Sequence, residues 1–236
     1  MTATTQAPYT LPNNVPARIP RVRMLALAGI VGPIWFTTLV IIQGFLLADY
    51  SHVRLPISAL AAWPTGWIQN INFFVFGSLM MVYAFSLNRG VQRTRQGSIG
   101  FALLLLSGLG IVLAGVFPFR MVDGVPTENA LHVVASIMAF ASTALGLMVF
   151  SRRMSADPRW RDLATYTMFT GIIVLTLFVV LGRFAIDDGA PLHPWAGLIQ
   201  RIVCGVWFAN MIVLSVRLRA VGESFSGYSH ANHGRA

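Results

Sequence analysis

Lysine is absent from this sequence, and charged residues of any kind are scarce. Arginine supplies all 17 basic residues, and charged residues make up only 11% of the 236 positions, whereas 56% are hydrophobic. A soluble domain of this size carries about 25% charged residues. The shortage of charge therefore argues against an ordinary soluble domain and indicates that lipid is the solvent for most of the chain.

Cysteine is almost absent as well. Cys204 is the single one, and it lies inside a long apolar run. One thiol excludes an intrachain disulfide and any redox motif built from paired cysteines.

Six apolar runs dominate the sequence, and each is close to the roughly 20 residues that cross a hydrocarbon core as a helix. Backbone polar groups must be satisfied within the segment in lipid, so the runs are helices rather than open sheet. The sequence therefore predicts an all-α, polytopic membrane helix bundle of six transmembrane helices. The runs are Met24–Leu47, Ile68–Leu87, Ser98–Phe117, Leu131–Phe150, Leu163–Gly182 and Trp195–Val216.

The ends of the chain differ from this central part. Four prolines, at positions 8, 12, 16 and 20, prevent a regular helix and favour an extended, solvated segment. We expect residues 1–23 to form a disordered cytoplasmic tail, residues 24–218 the six-helix transmembrane domain, and residues 219–236 a short polar cytoplasmic tail.

The arginines are distributed unevenly between the two sides. Thirteen of the 17 fall in residues 1–23, in the connections 88–97 and 151–162, and after residue 216. Basic residues are retained on the cytoplasmic side of membrane proteins, so the split predicts that both termini are cytoplasmic (N-in, C-in). The charge is divided among four short segments, which argues against nucleic-acid binding. Trp63, Trp67 and Trp195 are predicted exoplasmic interfacial anchors, and Trp160 is predicted to anchor the cytoplasmic interface.

The three predicted exoplasmic connections contain most of the chemically versatile side chains. We expect them to form a ligand-binding site at that end, and no polar site in the cytoplasmic half of the membrane domain. The candidate ligand-binding residues are Ser58, Gln69, Asp123, Glu128, His132, His193 and Arg201.

Three more specific kinds of site are weaker interpretations of the same residues. His52, His132 and His193 with Asp123 could supply a metal site, but no pair has metal-ligand spacing. A Ser58 hydrolase lacks the glycine pattern of a nucleophile elbow, and His193, followed by proline, is poorly placed to ligate haem. We therefore predict no bound metal and no cofactor.

Arg201 is predicted to lie about 9 Å along the last helix, measured from Trp195. An ionisable side chain at that depth is costly unless it is paired or reaches out of the membrane. We expect it to pair with an acidic residue of the exoplasmic connections, with snorkelling toward the headgroups as the alternative. The candidate partners are Asp123, Glu128, Asp187 and Asp188.

Several motifs resemble the prokaryotic integral membrane family known as domain of unknown function 998, over essentially residues 24–218. The most specific is Pro56-Ile57-Ser58-Ala59-Leu60 running into Gly66-Trp67. Ala59 stands where family members often have an acidic residue, and Phe119-Arg120 stand where they often have Thr-Asp. The resemblance implies a six-helix fold in the prokaryotic plasma membrane and supplies no activity. Its other motifs are Gly32-Pro33, Arg54-Leu55, Ile68-Gln69, Asn72-Phe73, Phe76-Gly77, Gly115-Val116-Phe117-Pro118 with His132, and Gly197-Leu198-Ile199-Gln200-Arg201 with Trp207.

Three functional hypotheses are compatible with the sequence. The first is a non-enzymatic protein that binds a membrane lipid or a partner subunit at the exoplasmic polar site, supported by the lack of a catalytic motif. The second is an exoplasmic metal- or carboxylate-assisted enzyme that acts on a lipid headgroup. The third, a small transporter, is disfavoured because no helix centre carries an acidic residue and no paired broken helices are evident.

Overall fold

Helices form nearly all of the secondary structure. The computed structural model describes the backbone of residues 19–92, 97–187 and 189–233, and the side chains of 22–92, 98–187 and 189–221. Its described helices are α1 (Ile19–Ala26), α2 (Ala28–Leu46), α3 (Gly66–Gly90), α4 (Gly97–Val116), α5 (Ala130–Ser155), α6 (Arg161–Phe184) and α7 (Ala196–His233). Short 3-10 segments span Ile57–Ala62 and His193–Trp195, and β1 (Arg120–Val122) pairs with β2 (Val125–Thr127) in an antiparallel hairpin.

Six of the helical stretches are long and apolar enough to cross a membrane, and they coincide with the six predicted runs. This confirms the prediction of an all-α bundle of six membrane-spanning helices. The stretches are Val22–Leu46, Gly66–Gly90, Ser98–Val116, Ala130–Ser155, Arg161–Phe184 and His193–Val221.

The helices extend further than the apolar runs at both ends of the chain. Helix α1 begins at Ile19, inside the predicted tail, and Pro20 lies in its first turn, where a missing N–H breaks no helical hydrogen bond. Helix α7 continues through His233, well into the predicted C-terminal tail. The rest of the predicted N-terminal tail, residues 1–18, lies outside the described residues.

The spanning helices pack in sequence order and close into a ring. Helix α2 contacts α3, each later helix contacts the next, and α7 returns to contact α2. Short connections favour this arrangement of antiparallel neighbours. Large apolar side chains on the outside of the ring, such as Phe45 and Ile34, are exposed because they face the region that lipid occupies.

Aromatic rings from four helices fill the middle of the bundle. Phe36 of α2 lies 4.9 Å from Phe76 of α3, and Phe76 lies 5.0 Å from Phe208 and 5.7 Å from Trp207, both on α7. Phe140 of α5 extends the cluster, with its ring centroid 5.9 Å from that of Trp207. Tilted and edge-to-face contacts of this kind favour a fixed arrangement of the rings.

The two ends of the bundle are built differently. We call the end that contains the segment from Tyr50 to Thr65 the plug end, and the opposite end, where most arginines lie, the arginine end. Trp67 and Trp195 are exposed at the plug end, as expected of interfacial anchors. Trp160 lies at the arginine end, where its side chain is fully buried against the protein and its Nε1 donates to the Gly90 carbonyl at 3.3 Å.

Candidate functional site

The connection between α2 and α3 folds into the plug end of the bundle instead of lying over it. We call residues 50–65 the plug; its 3-10 segment Ile57–Ala62 packs against α2, α3, α7 and the β-hairpin. Ser58, Ala59 and Leu60 in this segment are buried. Pro56 starts the segment, since its carbonyl accepts from Ala59 N–H at 3.1 Å, and small side chains allow the backbone to approach the helices.

Side-chain amides from two helices hold the plug. Gln43 of α2 donates from Nε2 to the Thr65 carbonyl at 3.1 Å and to the Leu60 carbonyl at 3.4 Å. Gln200 of α7 accepts from the Ile57 N–H at 2.6 Å through Oε1. Both glutamines are buried, so these bonds satisfy backbone groups that have no water available.

Arg201 binds the plug through neutral groups, so the prediction of a carboxylate partner is wrong for the acidic residues that the structure describes. Its Nη1 donates to the carbonyls of Leu55 at 3.2 Å and Gly197 at 2.9 Å. Its Nη2 donates to the Tyr50 hydroxyl at 2.7 Å and to His52 Nδ1 at 3.1 Å. Asp188, the remaining candidate partner, lies outside the described residues. Carbonyl and hydroxyl oxygens accept the hydrogen bonds of a guanidinium as carboxylate oxygens do, and they add no second charge that must be desolvated.

Burial and Arg201 together set the ionisation of the two plug side chains it touches. Burial raises the pKa of the Tyr50 hydroxyl, although the nearby guanidinium partly offsets the effect. Burial also lowers the pKa of His52, and the positive charge of Arg201 lowers it further. Tyr50 is therefore a neutral hydroxyl at neutral pH, and it donates in turn to the Pro56 carbonyl at 3.0 Å.

A cavity of about 40 Å³ lies beneath the plug, inside the membrane domain. Ile57 and Ser58 of the plug line it, and residues of α2, α3, α4, α5 and α7 complete the wall. The wall is mostly aromatic, with few polar groups. Its aromatic lining residues are Phe36, Phe73, Phe76, Phe140, Trp207 and Phe208, and its polar or thiol-bearing ones are Ser58, Ser136, Gln200 and Cys204.

Three of the predicted site residues are buried around this region. Ser58 lines the cavity. Gln69 is fully buried on α3 and accepts from Asn72 Nδ2 at 3.3 Å. His132 is buried on α5, where Nδ1 lies 2.8 Å from the carbonyl oxygen of Phe117, at the end of the preceding helix. A carbonyl oxygen only accepts, so Nδ1 carries the proton, and Nε2 is buried with no partner among the described residues.

The other predicted residues lie apart from the cavity. Asp123 is exposed at the tip of the β-hairpin with a positive φ of 49°, next to Gly124 in the turn. His193 contacts the Ala185 carbonyl through Nδ1 at 3.2 Å, beside α7. Burial raises the pKa of Glu128, and the neighbouring Asp187 raises it further, so two connections bring carboxylates near each other.

A multidentate metal site built from the predicted residues is not assembled. Within residues 22–92, 98–187 and 189–221, no group of three or more His, Cys, Asp and Glu side chains converges on one point. His52 contacts Arg201, whereas His132 is surrounded by the rings of Phe73 and Phe119.

Sequence inspection missed several residues that build the site. Tyr50, Gln43 and Gln200 hold the plug, and Trp207 and Cys204 line the cavity. Gln43 and Gln200 carry a detectable signal, because an amide inside an apolar run must find a partner there. The others give no such signal, since aromatic residues and cysteine are ordinary components of a membrane helix.

The arginine end contains a buried charged cluster where no polar site was expected. Arg153 is 2% exposed and donates to the carbonyls of Asn88, Val91 and Gln92 at 2.7, 2.5 and 2.6 Å, around the C-terminus of α3. Asp157, also buried, accepts from the Gln92 N–H at 2.9 Å and pairs with Arg159. Burial alone would raise the pKa of Asp157, but its hydrogen bonds from Arg159 and Gln92 outweigh burial and lower it.

Comparison with known proteins identifies the family. The model described as "Protein of unknown function (DUF998)" matches residues 30–217. The match spans most of the chain, so the chain belongs to this family, and the resemblance drawn from its motifs is confirmed. No curated protein and no solved structure matches the chain.

Proposed function

We propose that this member of the DUF998 family is a non-enzymatic membrane protein that binds an apolar membrane molecule, a lipid or a lipid-like compound, in the cavity beneath the plug. The observation that carries the proposal is the cavity itself, which is lined by aromatic side chains from α2, α3, α5 and α7. Ligand sites are typically concave and apolar with a few placed polar groups, and this cavity has that composition.

The depth of the cavity favours a ligand that is soluble in the bilayer. Cys204, on its wall, is eight residues beyond Ala196, where α7 begins, and is therefore about 12 Å along the helix. The hydrocarbon core is about 30 Å thick, so a site at that depth lies well inside it. A molecule dissolved in the acyl chains reaches this position without crossing water.

The size of the cavity sets which part of a ligand it holds. A single water needs about 10–15 Å³ measured in the same way. The volume of about 40 Å³ therefore holds only part of a ligand, such as a short chain segment or the edge of a ring. The rest of the ligand would lie along the outer surface of the bundle, among the exposed apolar side chains.

Cys204 gives a direct test, because it is the only cysteine and it lines the cavity. The rate at which a small apolar maleimide labels Cys204 is measured in detergent, with and without a total lipid extract. An occupant of the cavity slows the reaction. The matched control is the double variant Cys204→Ser, Ile202→Cys, which moves the thiol two residues along α7 to a position that is 48% exposed.

Protection of Cys204 without protection of the cysteine at position 202 supports the proposal. Equal protection at both positions means that lipid shields the whole helix, and it contradicts the proposal, as does the absence of protection at Cys204. A cavity-filling change, Ala139→Leu, should also abolish lipid-dependent protection, because Ala139 lines the cavity. Ala102→Leu, on the exposed face of α4, should leave it unchanged.

The cellular location belongs to the same proposal. The six spanning helices make the chain a multi-pass membrane protein. We place it in the prokaryotic plasma membrane with the plug end facing outward, because the arginines concentrate at the other end.

A further inference from the structure

We infer that the molecule bound in the cavity carries a hydrogen-bond acceptor oxygen on its apolar body, and that Trp207 Nε1 and Gln200 Nε2 recognise that oxygen. This inference rests on the proposed function and narrows its ligand class to carbonyl-bearing apolar compounds. It follows from two groups on the cavity wall, Trp207 Nε1 and Gln200 Nε2, that only donate hydrogen bonds.

Trp207 provides the first donor. Its side chain is 2% exposed and lines the cavity, and its Nε1 is buried with no hydrogen-bond partner among the described residues. An indole N–H only donates, and buried donors in folded proteins are almost always satisfied. The rings around it, Phe76, Phe140 and Phe208, have no acceptor atom to offer. An acceptor brought by a ligand or by water would complete the arrangement.

Gln200 provides the second donor, and its contact with the plug determines how its amide is oriented. Ile57 N–H is a donor, so the atom 2.6 Å from it must be the amide oxygen, Oε1. The remaining part of the amide, Nε2, has two N–H groups and no acceptor capacity. Gln200 is buried and lines the same cavity as Trp207.

The remaining polar groups on the cavity wall do not supply enough acceptors to satisfy these two donors. The hydroxyls of Ser58 and Ser136 line the cavity and either donate or accept. Among the residues that the structure describes, no carboxylate and no imidazole lines the cavity. A hydrocarbon chain alone would leave the donors unsatisfied, and a hydroxyl would add a further donor. A carbonyl oxygen accepts two hydrogen bonds and adds no donor, so it fits best.

Two classes of membrane compound supply such an oxygen, namely the ester carbonyl of an acyl lipid and the carbonyl of a quinone. The depth of the cavity does not separate them, because an acyl lipid can be drawn inward from the interface. The aromatic walls suit both a flat ring and a chain. The test therefore includes one probe of each class.

The experiment measures how four probes protect Cys204 from the maleimide, in an alkyl maltoside micelle that contains no ester. The probes are undecane, methyl nonyl ketone, methyl decanoate and duroquinone, each corrected for its partition into the micelle. We expect undecane to protect weakly and at least one carbonyl probe to protect at about tenfold lower concentration, since one good hydrogen bond contributes on that order. The better carbonyl probe identifies the class of the natural ligand.

The donor is tested by replacing Trp207 with benzothienylalanine, which exchanges the N–H for sulfur and keeps the ring shape. The ratio between the protecting concentrations of undecane and of the carbonyl probes should then fall from about tenfold to about twofold or less. Trp35→Phe, at a lipid-facing position that is 44% exposed, is the matched tryptophan control and should leave the preference intact. Trp207→Phe repeats the test with a natural residue.

The outcomes separate this inference from the proposed function. If undecane and the carbonyl probes protect equally, the cavity binds apolar molecules but water satisfies its donors, and the inference is wrong while the proposed function stands. If no probe protects Cys204, both are wrong. A carbonyl preference that survives the replacement of Trp207 overturns its assignment as the recognising donor.

Discussion

Arg201 and His52 form a hydrogen bond whose direction is determined by chemistry, with the Arg201 Nη2 atom 3.1 Å from His52 Nδ1. A guanidinium has no acceptor, so Nδ1 accepts and the imidazole is neutral, with its proton on Nε2. Protonation of His52 would remove the acceptor and place a second positive charge beside the first. Among the described residues, the ring contacts Arg201, the Tyr50 ring at 5.3 Å and the Phe45 ring at 4.9 Å, and none of these three groups would compensate that charge at acidic pH.

The first prediction concerns pH. The pKa of folded His52 lies below its ordinary 6.5, so the unfolded chain binds more protons in that window. The stabilisation from the neutral ring is therefore complete above about pH 6.5 and is lost as the pH falls below that value. The apparent melting temperature in detergent should decrease from pH 7 to pH 5, and His52→Asn, which keeps an acceptor near Nδ1 but does not titrate, should reduce the slope.

Comparing the original protein with His52→Asn separates the contribution of His52 to the pH dependence from that of other titrating groups. Glu128, whose pKa burial and Asp187 raise, acts in the opposite direction, because its folded form gains protons first as the pH falls toward its ordinary 4.5. That contribution is the same in both proteins and cancels in the difference. An unchanged slope in His52→Asn would show that the contact with Arg201 does not control the stability of the plug.

The second prediction concerns Arg201 itself. Its guanidinium makes three hydrogen bonds that join α7 to the plug and a fourth to the Gly197 carbonyl of its own helix, so Arg201→Ala leaves the carbonyl of Leu55 and the Tyr50 hydroxyl with fewer partners in a buried region. We expect a loss of about 3 kcal/mol or more in the free energy of unfolding. Arg201→Lys should recover only part of it, because an ammonium cannot reproduce the planar fork of donors.

The control for this prediction is Arg89→Ala, at an exposed position of the arginine end. It should change the free energy of unfolding by less than about 0.5 kcal/mol. Denaturation in detergent, followed by helix content and by Cys204 accessibility, reports both global and plug unfolding. Equal losses for the two alanine variants would contradict the role assigned to Arg201.

The helix bundle could be predicted from the sequence because each membrane-spanning helix is specified by its own continuous apolar run. An apolar run of about 20 residues has a single stable form in lipid, so α2 to α7 follow from hydropathy alone. The plug has no such signal, since Ile57–Ala62 is too short to be distinguished from an ordinary loop. Its burial depends on Gln43 and Gln200, which are distant in sequence and come together only in the closed ring.

The partners of Arg201 were mispredicted for a physical reason. A search for charge complementarity finds acids such as Asp123, but the structure compensates the guanidinium with carbonyls and a hydroxyl. Every residue has a carbonyl, so composition does not reveal which carbonyl a buried arginine will find. The burial of Arg153 and Trp160 at the arginine end was missed for the same reason, since both bind backbone carbonyls near the end of α3.

The third prediction concerns the close approach of α7 to the plug. A Cβ at Gly197 would overlap the carbonyl oxygens of Leu55 and His52, which are backbone atoms and cannot turn aside. Gly197→Ala should therefore displace the plug, lower the free energy of unfolding by about 1–3 kcal/mol and increase the labelling rate of Cys204. Gly205→Ala is the matched control on the same helix, because among the described residues its added Cβ would have no atom within 4 Å apart from its chain neighbours and its own helix backbone.

The two glycine variants should change the free energy of unfolding differently, with a loss only for Gly197→Ala. Alanine has the higher helix propensity by about 1 kcal/mol, so Gly205→Ala should be neutral or slightly stabilising. Thermal unfolding of the original protein, Gly197→Ala and Gly205→Ala in one detergent measures these differences in stability. A neutral Gly197→Ala with unchanged Cys204 labelling would mean that the plug does not pack against α7 as closely as described.

The fourth prediction concerns orientation in the membrane. Thirteen of the 17 arginines lie in segments assigned to one side, so both termini should be cytoplasmic and the plug end should face outward. Reporter fusions after Arg93 and Arg153 should give cytoplasmic signals, and fusions after Asp123 should give an exoplasmic one. A reversed signal at any of these sites would contradict the orientation and would place the plug on the cytoplasmic side.

The fifth prediction compares two neighbouring arginines at the end of α5. Arg152 is exposed, whereas Arg153 is buried, lies 5.0 Å from the Phe150 ring and donates to three carbonyls in and just after the last turn of α3. The last carbonyls of a helix have no partner within it, so a buried helix end needs donors from elsewhere. Arg153 supplies them and also places positive charge where the helix dipole favours it.

Removal of Arg153 should therefore be far more damaging than removal of Arg152. We expect Arg153→Ala to lower the free energy of unfolding by about 3–5 kcal/mol, because it strands several buried carbonyls, and Arg152→Ala to change it by less than about 0.5 kcal/mol. Amide hydrogen exchange should localise the effect, with faster exchange in the last turns of α3 and no change in the plug. Faster exchange in the plug as well would show that the two ends of the bundle unfold together, whereas similar losses for the two variants would remove Arg153 as the residue that holds the end of α3.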